Sequence, residues 1–61
     1  MSVSTEAKLA CVERELKLRQ KVYARLVETH KMSPDRAEHE IACMRAIMKD
    51  YESQLDKERL L

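Results

Sequence analysis

The stretch KMSPDRAEHEIACMRAIMKDY, from Lys31 to Tyr51, combines a helix start signal with an unbroken apolar rhythm. Ser33 is a preferred N-cap residue, and Pro34 suits the first position of a helix. Apolar residues then recur in steps of four and three, the period of a helix with one packed face. They are Ala37, Ile41, Met44, Met48, Tyr51 and Leu55. The pattern predicts a helix over about residues 34–58.

The residues before this stretch carry a second helical rhythm, interrupted only at Arg19. Its apolar members are Leu9, Val12, Leu16, Tyr23 and Leu26. This spacing predicts a first helix over about residues 5–29. A residue that precedes proline avoids the helical conformation, so the break falls at about residues 30–33.

A connection this short favours antiparallel neighbours. Folding the chain at Met32 brings the two apolar stripes face to face along nearly their whole length, with Leu16 opposite Met48. We therefore predict an all-α fold, a two-helix antiparallel hairpin that forms one domain over residues 1–61. Its predicted core consists of Leu9, Val12, Leu16, Tyr23, Leu26, Ala37, Ile41, Met44, Met48, Tyr51 and Leu55.

Each stripe is wider than a single seam between two helices can cover. The apolar residues at its edges are Leu18, Val22, Val27 and Ile47. A 61-residue hairpin lies close to break-even between apolar burial and lost chain entropy. A homodimer that pairs two hairpins into a four-helix bundle would cover these edges, and we favour it. A chain that folds only on a different protein and a marginal free hairpin are the alternatives.

Composition and charge point away from several classes of protein. The formal net charge is +1, with net +3 over residues 1–31 and net −2 over residues 32–61, so the chain is not a basic arm. The N-terminal segment lacks the apolar core of a signal peptide, and no apolar run is long enough to span a membrane. Two cysteines are too few for a disulfide framework, so we expect a cytoplasmic protein without a membrane partner.

His39 and Cys43 are the residues most suggestive of chemistry, because a spacing of four places both on one helix face. A structural zinc site normally takes four ligands, and Cys11 lies too far along the hairpin to help. A two-helix surface also offers no cleft for a substrate. The carboxylates of the second helix are expected to form a solvated face. We therefore expect no enzyme activity, no catalytic or metal-binding residues and no cofactor.

A basic stripe follows one outward face of the first helix. It consists of Arg14, Lys17, Lys21 and Arg25, at spacings of three and four residues. Lysine and arginine contacts to phosphates dominate affinity for nucleic acids. The stripe therefore supports a hairpin dimer that binds nucleic acid, as the alternative to a solvated face or a protein contact.

The segment from Arg14 to Tyr51 resembles a group of small, mostly uncharacterised bacterial and prophage-type helical proteins. The shared pattern is EL-x-x-R-x-x-VY, then K-M-S, then A-x-x-EI-x-x-M-x-AI. The positions that match it are Glu15, Leu16, Arg19, Val22, Tyr23, Lys31, Met32, Ser33, Ala37, Glu40, Ile41, Met44, Ala46 and Ile47. Members of the group often have proline after the tyrosine, where this chain has Ala24. The resemblance implies a phage or prophage context and no established activity.

Small phage proteins commonly act by binding a host protein and diverting it. The expected function is therefore a protein–protein interaction module that binds and inhibits a host regulator or enzyme by occlusion. The sequence does not identify that partner.

Overall fold

The computed structural model describes residues 2–60, which form two helices joined by a short turn. Helix α1 spans Thr5–Glu28 and helix α2 spans Pro34–Arg59. The described part of the chain contains no strand. The helices pack side by side into a rod of 48 × 21 × 15 Å. A two-helix hairpin was predicted, and both helices lie within one residue of the expected bounds.

Both helices begin at a serine cap. Ser4 accepts a hydrogen bond from the backbone N–H of Ala7 at 3.1 Å, and Ser33 accepts one from the N–H of Arg36 at 3.2 Å. Each serine satisfies one of the amide donors that a helix start leaves without a partner. Ser4 is thus the N-cap of α1, and Ser33 is the N-cap of α2.

The turn closes α1 with a motif that usually requires glycine. His30 has a φ of 61°, in the left-handed region. The N–H of Lys31 donates a hydrogen bond to the carbonyl of Leu26 at 2.8 Å, and the N–H of His30 donates one to the carbonyl of Val27 at 3.1 Å. These are the two bonds of a Schellman motif. Because the chain has no glycine, a histidine takes the left-handed position and bears its steric cost.

The core of the single hairpin is thin. Leu16 is the buried residue of the described chain, with 7% of its surface exposed. The other ten residues of the predicted core are all half-buried: Leu9, Val12, Tyr23, Leu26, Ala37, Ile41, Met44, Met48, Tyr51 and Leu55. The interface between α1 and α2 therefore shields each apolar stripe on its inner side and leaves the rest in water.

Neither helix is both long enough and apolar enough to cross a membrane.

Candidate interaction surfaces

Three large apolar side chains on one side of the hairpin are open to water. Leu18 and Val22 on α1 are 56% and 43% exposed, and Ile47 on α2 is 42% exposed. At 100° per residue, Leu18 and Val22 lie on the same flank of α1, to one side of the buried Leu16. Ile47 lies on the matching flank of α2, where it lines a shallow depression together with Lys8. We call Leu18, Val22 and Ile47 the Leu18 face.

Val27, the fourth of the predicted apolar edge residues, lies on the opposite side of the hairpin. There it is half-buried, and it lines a groove between α1 and α2. Five residues separate Val22 from Val27, which is a rotation of 140° around α1. The apolar edges of the stripe therefore divide between two different surfaces.

The groove that holds Val27 is open and mainly apolar, with a volume of about 590 Å³. Its walls come from the turn-proximal halves of both helices: Gln20, Tyr23, Ala24, Val27, Pro34, Ala37, Glu38, Ile41, Ala42 and Arg45. We call it the Tyr23 groove. Small alanine side chains form much of its floor and walls, so another backbone could approach closely. This groove was not predicted from the sequence, because its lining residues come from both helices and share no periodic pattern.

The predicted basic stripe lies on the side of α1 that faces away from α2. Arg14, Lys17, Lys21 and Arg25 are all exposed. Among residues 2–60, the ion pairs join Glu15 to Arg19 and Glu6 to Arg59, and neither involves the stripe. These four cations therefore present their charge to solvent.

Polar groups interrupt the apolar stripe at one position of α1. Arg19 donates from Nε to Oε1 of Glu15 at 3.1 Å, and its Nη1 lies 3.5 Å from the hydroxyl of Tyr23. The hydrogen bond with Glu15 raises the pKa of Arg19 above its ordinary value, and the nearby Tyr23 adds to the effect. The Arg19 side chain is 37% exposed, so its head remains hydrated while its stem covers the seam.

Charged residues link the two helices at the end remote from the turn. Nζ of Lys8 lies 6.0 Å from the centre of the Tyr51 ring, at the outer limit of a cation–π contact. Arg59 reaches Glu6 at 4.0 Å, with both side chains largely exposed. These contacts confirm that the start of α1 lies beside the end of α2, and an exposed pair of this kind adds little stability.

His39 and Cys43 do approach each other, with Nε2 and Sγ 3.6 Å apart. Both are exposed, and no group of three or more metal-binding side chains converges within residues 2–60. Cys11 is exposed on the other helix and is not part of this pair.

Comparison with known proteins gives no match for this chain among protein families, curated proteins or solved structures. The resemblance to prophage-type helical proteins therefore stays a prediction.

Proposed function

We propose that this chain is a non-enzymatic protein-binding module that acts in the cytoplasm as a homodimeric four-helix bundle. The observation that carries the proposal is the division of exposed apolar surface between two opposite sides. One side is the Leu18 face, and the other is the Tyr23 groove. A hairpin needs a second copy on only one side, so the other is free for a different protein.

The thin core supports the dimer. A chain of 61 residues that has one buried side chain, Leu16, within residues 2–60 gains little from apolar burial within one hairpin. A second hairpin placed on the Leu18 face would remove three large apolar side chains from water. Each such side chain contributes about 1.5–3 kcal/mol when it is fully buried rather than exposed.

The shape of the Tyr23 groove supports a helical partner. An amphipathic helix binds such a surface by laying its apolar residues between two supporting helices. Ala24 and Ala42 leave room for that helix, while Tyr23 and Ile41 supply apolar contacts. Glu38 and Arg45 lie along one wall and could set its direction. In the phage context that the resemblance implies, the partner is a host protein whose own contact surface becomes occluded.

The dimer is tested by the mass of the protein in solution. Sedimentation equilibrium at micromolar concentration should give twice 7.2 kDa. Ile47→Asp should shift the mass toward the monomer, because it places a charge within the apolar interface. A folded wild-type monomer at all concentrations would contradict the dimer.

The binding function is tested with two alanine variants of the same helix. Ala42→Arg fills the Tyr23 groove, whereas Ala46→Arg adds the same side chain outside it. Affinity capture from host extract should recover the same polypeptide with the wild type and with Ala46→Arg, but not with Ala42→Arg. If Ala42→Arg still captures the polypeptide, the binding site lies outside the Tyr23 groove. If none of the three proteins captures a polypeptide, the chain has no protein-binding function.

Nucleic-acid binding is the second candidate, and the four unpaired cations of the basic stripe favour it. Binding through these residues should weaken steeply with salt, because each phosphate contact releases condensed counterions. A double substitution of Lys17 and Lys21 by Glu should abolish it, whereas Lys49→Glu on α2 should not. Duplex RNA and duplex DNA titrated between 50 and 200 mM salt would show a change of about 10³-fold or more for six phosphate contacts. A flat salt response, or no binding at low salt, would eliminate this candidate.

A further inference from the structure

We infer that a second copy of this chain docks on the Leu18 face about a two-fold axis that crosses this face at the level of Gln20, so that Leu18 meets Val22 of the second copy and Glu15 meets Arg25 of the second copy. The inference rests on the proposed dimer and adds its interface and register.

The first step is the order of side chains along the exposed flank of α1. Glu15, Leu18, Val22 and Arg25 follow one another at spacings of three, four and three residues, so they form one continuous ridge. Glu15 is half-buried and accepts a hydrogen bond from Arg19 through Oε1, and its Oε2 takes no part in that bond. The ridge is acidic at its N-terminal end, apolar in the middle and basic at its C-terminal end. A two-fold axis reverses the ridge of the second copy, which makes it complementary to the first.

Neighbouring registers of the α1 ridge are less favourable than this one. With the axis at the level of Gln20, apolar residues meet apolar residues and opposite charges meet at both ends of the ridge. A shift of the axis by about one turn toward the N-terminus would set Leu18 against Glu15 and bring Lys8 against Arg25. A shift toward the C-terminus would place Leu18 against Arg25. Both shifted registers bury an apolar side chain against a charge, so electrostatic complementarity selects the central one.

The same axis also brings residues of α2 together, and these residues were not used to choose its position. Gln20 and Tyr23 share the groove with Ile41 and Arg45, so Gln20 lies level with α2 near Cys43. The axis therefore passes close to Cys43 and places it beside its own copy.

The remaining residues of this flank of α2 follow from that position of the axis. Arg36 comes opposite Asp50 of the second copy, which gives another pair of opposite charges. Ile47 comes opposite His39 of the second copy and next to Glu40, whose aliphatic stem can cover it while the carboxylate reaches water. Arg36 and Asp50 are both exposed and take no part in the two ion pairs within residues 2–60.

A charge exchange tests the register. Glu15→Arg and Arg25→Glu should each raise the dimer dissociation constant roughly tenfold, because each substitution affects two symmetric pairs and creates like-charge contacts. The double variant should dimerise more tightly than either single variant, since the exchanged charges attract again, although it does not restore the contact between residue 15 and Arg19. Glu13→Arg and Lys21→Glu make the same charge changes on α1 away from the Leu18 face, and they should leave the constant unchanged.

Cross-linking tests the position of the axis. A short bis-maleimide should link two chains of Cys11→Ser, which retains Cys43 beside the axis. It should not link Cys43→Ser, because Cys11 lies nine residues from the axis and its copy is about 27 Å away.

Sedimentation separates the two ways in which the proposal could fail. A wild-type dimer in which the double variant stays weak, or in which Cys11 cross-links and Cys43 does not, would overturn the register and leave the dimer intact. A wild-type monomer would overturn both.

Discussion

Nε of Arg19 donates to Oε1 of Glu15 at 3.1 Å, one turn back along α1 and within the apolar stripe that faces α2. This pair fills the one place where the rhythm of α1 lacks an apolar residue. The arginine stem covers the seam and its head stays hydrated, so the position costs less than a buried charge would. The protein thereby trades some apolar burial for a polar contact at the middle of the hairpin.

Arg19→Leu should stabilise the hairpin, because leucine continues the apolar stripe and the exposed ion pair contributes little. The melting temperature, followed by circular dichroism, should rise by several degrees. The matched control Arg14→Leu, on the outer side of α1, should leave it nearly unchanged. If Arg19→Leu destabilises the hairpin and Arg14→Leu does not, the contacts of Arg19 with Glu15 and Tyr23 contribute more stability than leucine gains by burial between the helices.

The contribution of Arg19 should not vary with pH in the neutral range. Its pKa is raised above the ordinary value, so any stability that the charged form supplies is fully present below that value and is lost only in strong alkali. The stability difference between wild type and Arg19→Leu should therefore be the same at pH 6 and pH 9. A difference that changes across this interval would point to another titrating group.

Leu16 and Leu18 should respond differently to truncation. Leu16→Ala removes the buried side chain of the core and should lower the free energy of unfolding by about 2–4 kcal/mol at any protein concentration. Leu18→Ala removes an exposed side chain and should matter only through the dimer, so its effect should depend on concentration. Urea unfolding at two concentrations, twentyfold apart, measures both. A concentration-independent loss for Leu18→Ala would argue against the proposed interface.

His30 should be replaceable by glycine with a gain in stability. Its φ of 61° costs a residue with a Cβ roughly 1–2 kcal/mol. Glycine avoids this steric cost but loses more conformational entropy when the chain folds, so only part of the cost is recovered. We expect His30→Gly to raise the free energy of unfolding by about 0.5–1 kcal/mol. His30→Val should lower it, since β-branched residues avoid this region. Equal stability of the two variants would mean that the turn does not keep this conformation.

Ser33→Ala should cost about 1 kcal/mol, because it removes the side-chain acceptor for the N–H of Arg36 at the start of α2. Ser4→Ala removes the equivalent bond at the start of α1 and should have a cost of similar size. Thermal unfolding of the two variants in parallel measures both losses. Unchanged stability of both variants would mean that the serine hydroxyls do not cap these helices.

The amino-acid sequence by itself determined the two helices, the turn and the residues that face the seam. Local chemistry sets these features: Ser33 and Pro34 start a helix wherever the chain goes next, and a step of three or four places Ile41 and Met44 on one face. All eleven residues of the predicted core are accordingly buried or half-buried.

Only the tertiary structure decided how the edges of the stripes divide. Val22 and Val27 are equivalent in a list of flanking apolar residues, but the pairing with α2 turns them to opposite sides of the hairpin and creates the Tyr23 groove from segments distant in sequence. The left-handed conformation of His30 was also not predicted, because histidine enters this region less readily than glycine does. Its conformation is fixed by closing α1 onto α2, because the turn has to reverse the chain within five residues, 29–33, without a glycine.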